Sequence, residues 1–180
     1  MGRRIAVSIA PDSRLWVHDL QRGGLTAVTA AKESALWNIW SPDGQRIAYT
    51  AAGFDVSQRS ADGTGAAVVL HSSRTFPAPA SWSRDGRWLA LTERLSATQD
   101  DISVIDMTDP KRPRQPLIQT PASETYPEFS PDGKWMVYTS NESGRSEVYV
   151  QPRPGPGPRV QVSTQGGNAP AWTSGGEEIV

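Results

Sequence analysis

Three aspartates of this 180-residue chain stand in the same local setting. Asp43 lies in Trp40-Ser41-Pro42-Asp43-Gly44, Asp85 in Trp82-Ser83-Arg84-Asp85-Gly86 and Asp132 in Phe129-Ser130-Pro131-Asp132-Gly133. A carboxylate beside a hydroxyl could act as a general acid or base. Catalysis, however, needs unlike groups converging on one point. Here the same pair recurs at intervals of 42 and 47 residues. An acid repeated at one place in every unit reads as turn chemistry, because an Asp side chain caps the backbone two residues on. The only histidines, His18 and His71, have neither a Ser-His-Asp set nor metal-ligand spacing around them. Both read as structural. Asp100 and Asp101 could help to hold a cation, but an oxygen cage needs about six ligands, so the pair reads as a solvated loop charge. Asn141-Glu142-Ser143 spells a glycosylation sequon and reads as a hairpin turn. There is no Gly-x-Ser-x-Gly elbow, no phosphate-binding loop with a lysine and no kinase catalytic motif. These residues predict no catalytic group, no metal site and no cofactor, and hence a chain that is not an enzyme.

The elements that must hold these aspartates form a repeat. The residues Trp40, Trp82, Phe129 and Trp172 open its copies, at spacings of 42, 47 and 43. A period of about 40–45 residues is that of a propeller blade of four strands. Ser-Pro-Asp-Gly fits a type I turn with Pro second and Gly fourth. The following runs, Ile47-Ala48-Tyr49 and Leu89-Ala90-Leu91, are apolar at every position, as in strands buried on both faces. The fourth copy, Trp172-Thr173-Ser174-Gly175, lacks the Pro-Asp pair, and the second has Arg84 in place of Pro. The fold class is therefore all-β, a β-propeller of about four repeats. Three full blades lie between partial blades at both ends.

The blades divide the single region 1–180. A partial blade spans 1–35, full blades span 36–79, 80–125 and 126–168, and 169–180 starts another. Strands are expected near Arg4–Ser8, Arg14–Leu20 and Leu25–Thr29, then Leu36–Trp40, Arg46–Ala51, Phe54–Arg59 and Ala67–Leu70. The next blade starts near Ala80. Its second strand, Arg87–Thr92, precedes a long loop from Glu93 to Asp101, and Ile102–Asp106 and Gln115–Gln119 follow. The third full blade has Tyr126–Phe129, Lys134–Ser140, Glu147–Gln151 and Val160–Ser163. The segments Glu177–Val180 and Arg4–Ser8 occupy the same place in the repeat. That duplication favours an arc of a larger propeller over a closed four-bladed ring, and an open arc exposes two sheet faces.

Composition agrees. Lys and Arg number 18 and Asp and Glu 19, for a net charge of −1. This gives no reason to expect nucleic acid or an anionic membrane surface as partner. The 16 Gly and 15 Pro suit many short strands joined by turns. Of seven Trp, those at 40, 82, 135 and 172 sit in the repeat and are expected to pack between blades. Cysteine is absent. No apolar run approaches the length that spans a membrane, and Met1 to Ala10 holds too short an apolar stretch for a secretory signal.

Trp-Ser-Pro-Asp-Gly followed by an apolar strand resembles the TolB-like, WD-related propeller repeat of bacteria. A further likeness runs through Leu117-Ile118-Gln119-Thr120-Pro121, Tyr126-Pro127-Glu128-Phe129-Ser130-Pro131-Asp132-Gly133, and Tyr138-Thr139-Ser140-Asn141-Glu142-Ser143-Gly144-Arg145-Ser146-Glu147-Val148-Tyr149 to Thr164. It is similar to the propeller attached to bacterial membrane-linked serine/threonine kinases and some regulators. The resemblance implies an interaction or sensing module outside the cytoplasm. Alternatives are a TolB-type periplasmic scaffold and the gating propeller of a prolyl-oligopeptidase-type peptidase. In a blade, the loops between second and third strands share a face with the loops between blades, and function is sought there. That rim collects Arg74, Glu93, Arg94, Asp100, Asp101, Glu124, Asn141, Glu142 and Arg145. Its mixed charge suits a protein or peptide partner.

Overall fold

The computed structural model describes residues 3–94, 99–153 and 157–180, and within them every regular element is a β-strand. The chain forms two compact units, Met1–Pro79 and Ala80–Val180.

The first unit carries two sheets. Strands β1 (Arg4–Ile9), β2 (Arg14–Asp19) and β3 (Leu25–Ala27) form a three-stranded meander. Strands β4 (Ala35–Trp40), β5 (Arg46–Ala51), β6 (Asp55–Ser60) and β7 (Val68–Ser72) form a four-stranded one. Their shared core holds Leu15, Val17, Val28, Ala35, Ile47, Tyr49 and Ala61. The second unit repeats the pattern. Strand β8 (Ala78–Trp82), which starts at the junction, leads to β9 (Trp88–Arg94), β10 (Asp100–Asp106) and β11 (Arg114–Ile118). The next sheet has β12 (Glu124–Phe129), β13 (Trp135–Ser140), β14 (Glu147–Pro152) and β15 (Val160–Gln161). Ala90, Ile102, Val104, Ile118, Phe129, Met136, Tyr138 and Tyr149 fill the space between these sheets. The all-apolar runs behave as strands covered on both faces. Ile47 to Tyr49, Leu89 to Leu91 and Met136 to Tyr138 are all 0% exposed. Each large side chain so buried stabilises the fold by about 1.5–3 kcal/mol.

The Ser-x-Asp-Gly segments set the register of these strands. In each, the serine carbonyl accepts the glycine N–H, at 2.8 Å in Ser41–Gly44, 2.8 Å in Ser83–Gly86 and 2.9 Å in Ser130–Gly133. The glycines have φ of 65°, 75° and 73°, a left-handed value that any Cβ makes costly. The serine hydroxyl donates to the aspartate at 2.5, 2.6 and 2.6 Å. It also accepts the N–H of Arg46, Trp88 and Trp135, the residue that opens the next strand. The aspartate accepts the N–H of Gln45, Arg87 and Lys134, each at 3.0 Å. Arg84 in place of proline leaves this geometry unchanged. The fourth copy keeps the hydroxyl and the glycine. Gly176 N–H bonds Thr173 O at 2.8 Å, and Trp172 pairs with Ile179 across a short antiparallel bridge.

The hydroxyl and backbone N–H bonds hold all three carboxyls below their ordinary pKa, the serine hydroxyl being the larger cause. A lowered folded-state pKa contributes stability that is complete above the unfolded value of about 4 and is lost as pH falls through the folded value. Thermal unfolding should thus be flat between about pH 7 and 5 and fall below about pH 4. The triple variant Asp43→Asn, Asp85→Asn, Asp132→Asn keeps an acceptor at each turn and should show a shallower acid slope. Equal slopes for the two proteins would count against this assignment.

Several strand ends shift by a residue or two from the sequence reading, and one stretch differs more. The expected loop from Glu93 to Asp101 is shorter, because β9 and β10 continue into it with Arg94 opposite Asp100 and Glu93 opposite Asp101. An Arg94–Asp100 ion pair at 3.4 Å closes the extended ladder. Residues 95–98 of that loop, and residues 154–156 of the turn from Pro152 to Pro158, lie outside the described residues.

Candidate functional site

The second unit brings together residues from five separate stretches around one open cleft of about 880 Å³. It opens over the core between the third and fourth sheets. Gln99 and Thr120 come from connections of the third sheet, and Asn141 and Glu142 from the β13–β14 loop. Tyr149 of β14 and Arg159, next to β15, complete the wall. Each position has a local cause. Asn141 Oδ1 accepts the Ser123 N–H at 2.8 Å, which ties the β13–β14 loop to the entry of β12. Gly144, at φ 94°, turns that loop back, and its N–H bonds Asn141 O at 2.9 Å. Glu142 pairs with Arg159 at 2.9 Å. Tyr149 stacks on Tyr138 with ring centroids 5.9 Å apart.

Two polar groups lie buried in this region. Glu124 is 0% exposed; its Oε1 accepts Thr120 Oγ1 at 2.5 Å and Ser140 Oγ at 3.4 Å, and its Oε2 has no hydrogen-bond partner. Burial raises its pKa, against the Thr120 bonds, and the charge of Asp101 adds to the rise. The Tyr138 hydroxyl is also buried without a well-formed hydrogen bond. Burial above all pushes it up to about 12.

The other expected rim residues divide. Arg74 is exposed, in the first unit. Arg94 is 72% exposed beside Asp100. Glu93 and Asp101 differ from their expected loop position: both are strand residues, 2% and 1% exposed. Glu93 accepts Ser103 Oγ at 2.6 Å and pairs with Arg114 at 3.2 Å. Arg145 is held by Glu147, which is 1% exposed, through a 2.6 Å contact from Nε, and its other end donates to the Thr164 carbonyl. It is therefore a brace between strands, with less freedom than a rim cation. Among the described residues no three His, Asp or Glu are grouped to hold a metal. His18 bonds the Gly24 carbonyl through Nδ1 at 2.8 Å in a hairpin turn.

The tryptophans of the repeat also vary. The guanidinium of Arg4 lies 5.0 Å over the Trp40 ring, and Trp82 Nε1 donates to Gly86 O at 3.0 Å. Trp172 Nε1 donates to Glu128 O at 3.4 Å. Trp135 departs from the packing role expected of it. It is 41% exposed in a groove of about 390 Å³ that it shares with Val150, Val160, Val162, Trp172 and Ile179.

The sequence reading missed Gln99, Thr120, Tyr149 and Arg159. It also missed two exposed aromatics, Trp37 in the first unit and Tyr126 in the second. Both have positive φ, 52° and 54°, where β4 and β12 shift register. They stand three residues before Trp40 and Phe129, a signal present in the repeat itself.

The arrangement can bind but offers no nucleophile–base pair among the contacts described. No curated protein matches the sequence. Solved structures do match the fold. TolB from Acinetobacter baumannii superposes with a TM-score of 0.79 at 20% identity, over 98% of this chain and 46% of that one. A putative TolB from Agrobacterium tumefaciens gives 0.74 at 18% identity, over 93% of this chain and 65% of that one. A puromycin-hydrolyzing peptidase of Mycobacterium tuberculosis gives 0.71 at 18%, over 89% of this chain and 27% of that one. The chain thus spans less than two thirds of each of these proteins. At such identities the likeness is one of fold. The sequence adds the lineage, because residues 12–180 match the family model described as the TolB beta propeller domain. With its four-stranded meanders and repeated Ser-x-Asp-Gly turns, the chain belongs to the TolB β-propeller domain family.

Proposed function

We propose that this chain is a non-catalytic interaction module that takes a protein or peptide partner at the cleft of its second unit. The observation that carries the reading is a variable loop on a constant scaffold. Equivalent strands of the first unit, β5 and β6, are joined by only three residues, 52–54, whereas β13 and β14 are joined by six, 141–146. The longer loop builds one wall of the cleft. Loops positioned by a rigid scaffold are where binding residues concentrate. The mixed lining, with Glu142, Arg159, Asn141 and Tyr149, suits polypeptide more than a small apolar ligand.

The kinase-type likeness within Leu117–Thr164 favours the propeller part of a membrane-linked bacterial kinase or regulator, located outside the cytoplasm. A kinase domain and a membrane span in the flanking open reading frame would support it. A hydrolase domain there would favour the peptidase reading instead.

Ser143 is exposed on the loop and suits a photo-crosslinking residue. With envelope extract, a crosslinker at 143 should give a discrete adduct that excess unlabelled chain competes away. One at Arg22, in the β2–β3 turn, should give none. No adduct at 143, or identical adducts at both positions, would sink the proposal.

A further inference from the structure

We propose that the cleft admits a basic side chain of an extended peptide, arginine above all, which replaces the chain's own Arg159 on Glu142. This rests on the reading of the cleft as a polypeptide site and names the chemistry it selects. Three observations lead there.

The cleft already holds a guanidinium. Arg159 reaches Glu142 at 2.9 Å, yet its side chain is 44% exposed. An ion pair this open is weak and readily exchanged. Behind it lie the two buried polar groups. Glu124 Oε2 lacks a donor, and the Tyr138 hydroxyl has only a loose hydrogen bond from Arg159. Both adjoin the cleft wall, since Tyr138 stacks on Tyr149 at 5.9 Å and Glu124 accepts the Thr120 hydroxyl, and Tyr149 and Thr120 line the cleft. Buried polar groups are almost always paired in native structures, so the open Glu124 Oε2, beside a phenol that Arg159 bonds only loosely, marks a donor still to be supplied. What the pair can take is N–H. A guanidinium presents five donors in a planar fork and accepts nothing. It could pair with Glu142 while offering N–H to the carboxylate and phenol behind. A neutral side chain supplies fewer donors, and an acidic one meets Glu142 and Glu124 with like charge.

The cleft also reaches β15, an edge strand that leaves one side of its ladder open. An extended backbone can lie along such an edge while one side chain enters the cleft.

The test uses the full chain and fluorescein-labelled hexapeptides Gly-Ser-Gly-Xaa-Gly-Ser, with Arg, Lys, Gln or Glu at Xaa, read by anisotropy at low salt. Arg is expected to bind at least tenfold more tightly than Gln, with Lys between them and Glu weakest. Glu142→Gln should remove most of that preference. Arg159→Ala removes the resident competitor and should tighten the Arg peptide several-fold. Both positions are loop residues, and a thermal melt checks that each variant folds. Equal binding of the Arg and Gln peptides, no binding of any peptide, or a failure of Arg159→Ala to tighten the complex overturns the inference. Tightest binding of the Glu peptide overturns it too, by making Arg159 the recognition group. None of these outcomes touches the crosslinking result at Ser143, which tests the interaction reading separately.

Discussion

Glu93→Ala is expected to lower the unfolding free energy by about 2–4 kcal/mol, measured by urea denaturation with unchanged slope. Glu93 ties three successive strands together. Its carboxylate, on β9, accepts Ser103 Oγ of β10 and pairs with Arg114 of β11. Truncation leaves the Ser103 hydroxyl without this acceptor at a site 1% exposed. It also takes the Glu93 carboxylate away from a guanidinium with only 27% exposure. Breaking a fully buried pair costs about 3–5 kcal/mol, and the partial exposure of Arg114 softens that figure. Glu93→Gln keeps an acceptor for Ser103 and should lose about half as much. The charges themselves are not what the fold requires. Replacing both Glu93 and Arg114 by leucine removes the desolvation cost together with the attraction, so the double variant should recover much of the loss. A Glu93→Ala loss below about 0.5 kcal/mol, the range of an ordinary surface change, would overturn this account.

Glu93 thus belongs to the interior of its sheet and not to the exposed rim that its sequence suggests. On hydropathy alone, Thr92-Glu93-Arg94 and Asp100-Asp101 look like the ends of a solvated loop. The ladder instead continues through them, pairing Glu93 with Asp101 and Arg94 with Asp100, and it leaves Glu93 and Asp101 buried while Arg94 stays exposed. Cross-strand register is set by partners about eight residues apart, and the charge of either segment alone does not reveal it. Arg145 is exposed as expected, but its tether is not legible in the sequence for a related reason. Its anchor, Glu147, occupies the first position of β14 and is 1% exposed, where a glutamate reads as outward-facing. The cleft was legible only in part. Asn141 and Glu142 stand out as the loop that differs between blades, whereas Gln99, Thr120, Tyr149 and Arg159 reach the same wall from four other stretches. By contrast the blade framework is local chemistry. Ser41-Pro42-Asp43-Gly44 states its turn in four residues, and the apolar run after it states its burial. Trp37 and Tyr126 fall between these cases. Their bulge breaks the alternation that sequence reading relies on, while their place before Trp40 and Phe129 repeats with the blade.

Gly63→Ala should cost about 3–5 kcal/mol, against about 1–2 kcal/mol for Gly65→Ala in the same turn. The turn joins β6 to β7 with the grammar of the main motif. Ser60 Oγ donates to Asp62 at 2.6 Å, Asp62 accepts the Thr64 N–H at 2.9 Å, and Gly63 N–H bonds Ser60 O at 3.0 Å. Both glycines have positive φ, 78° and 73°, so an alanine at either position carries a similar backbone penalty. They differ in what a Cβ would meet. At Gly65 there is nothing within 4 Å. At Gly63 the new methyl would stand 2.2 Å from the carbonyl oxygen of Ala27 and 3.3 Å from its carbon. Ala27 is the last residue of β3 and is held opposite Trp16, so the obstacle is backbone fixed in a sheet. The turn must lift off β3, or β3 must give up part of its pairing with β2. Either movement opens the contact between the two sheets of the first unit, whose core contains Val28 and Ala61 on the two sides of this approach. Paired urea melts of the two variants isolate that contact, since the strain is common to both. A difference of about 2 kcal/mol or more is the expected result, and equal losses would mean that the turn does not rest on β3 in solution.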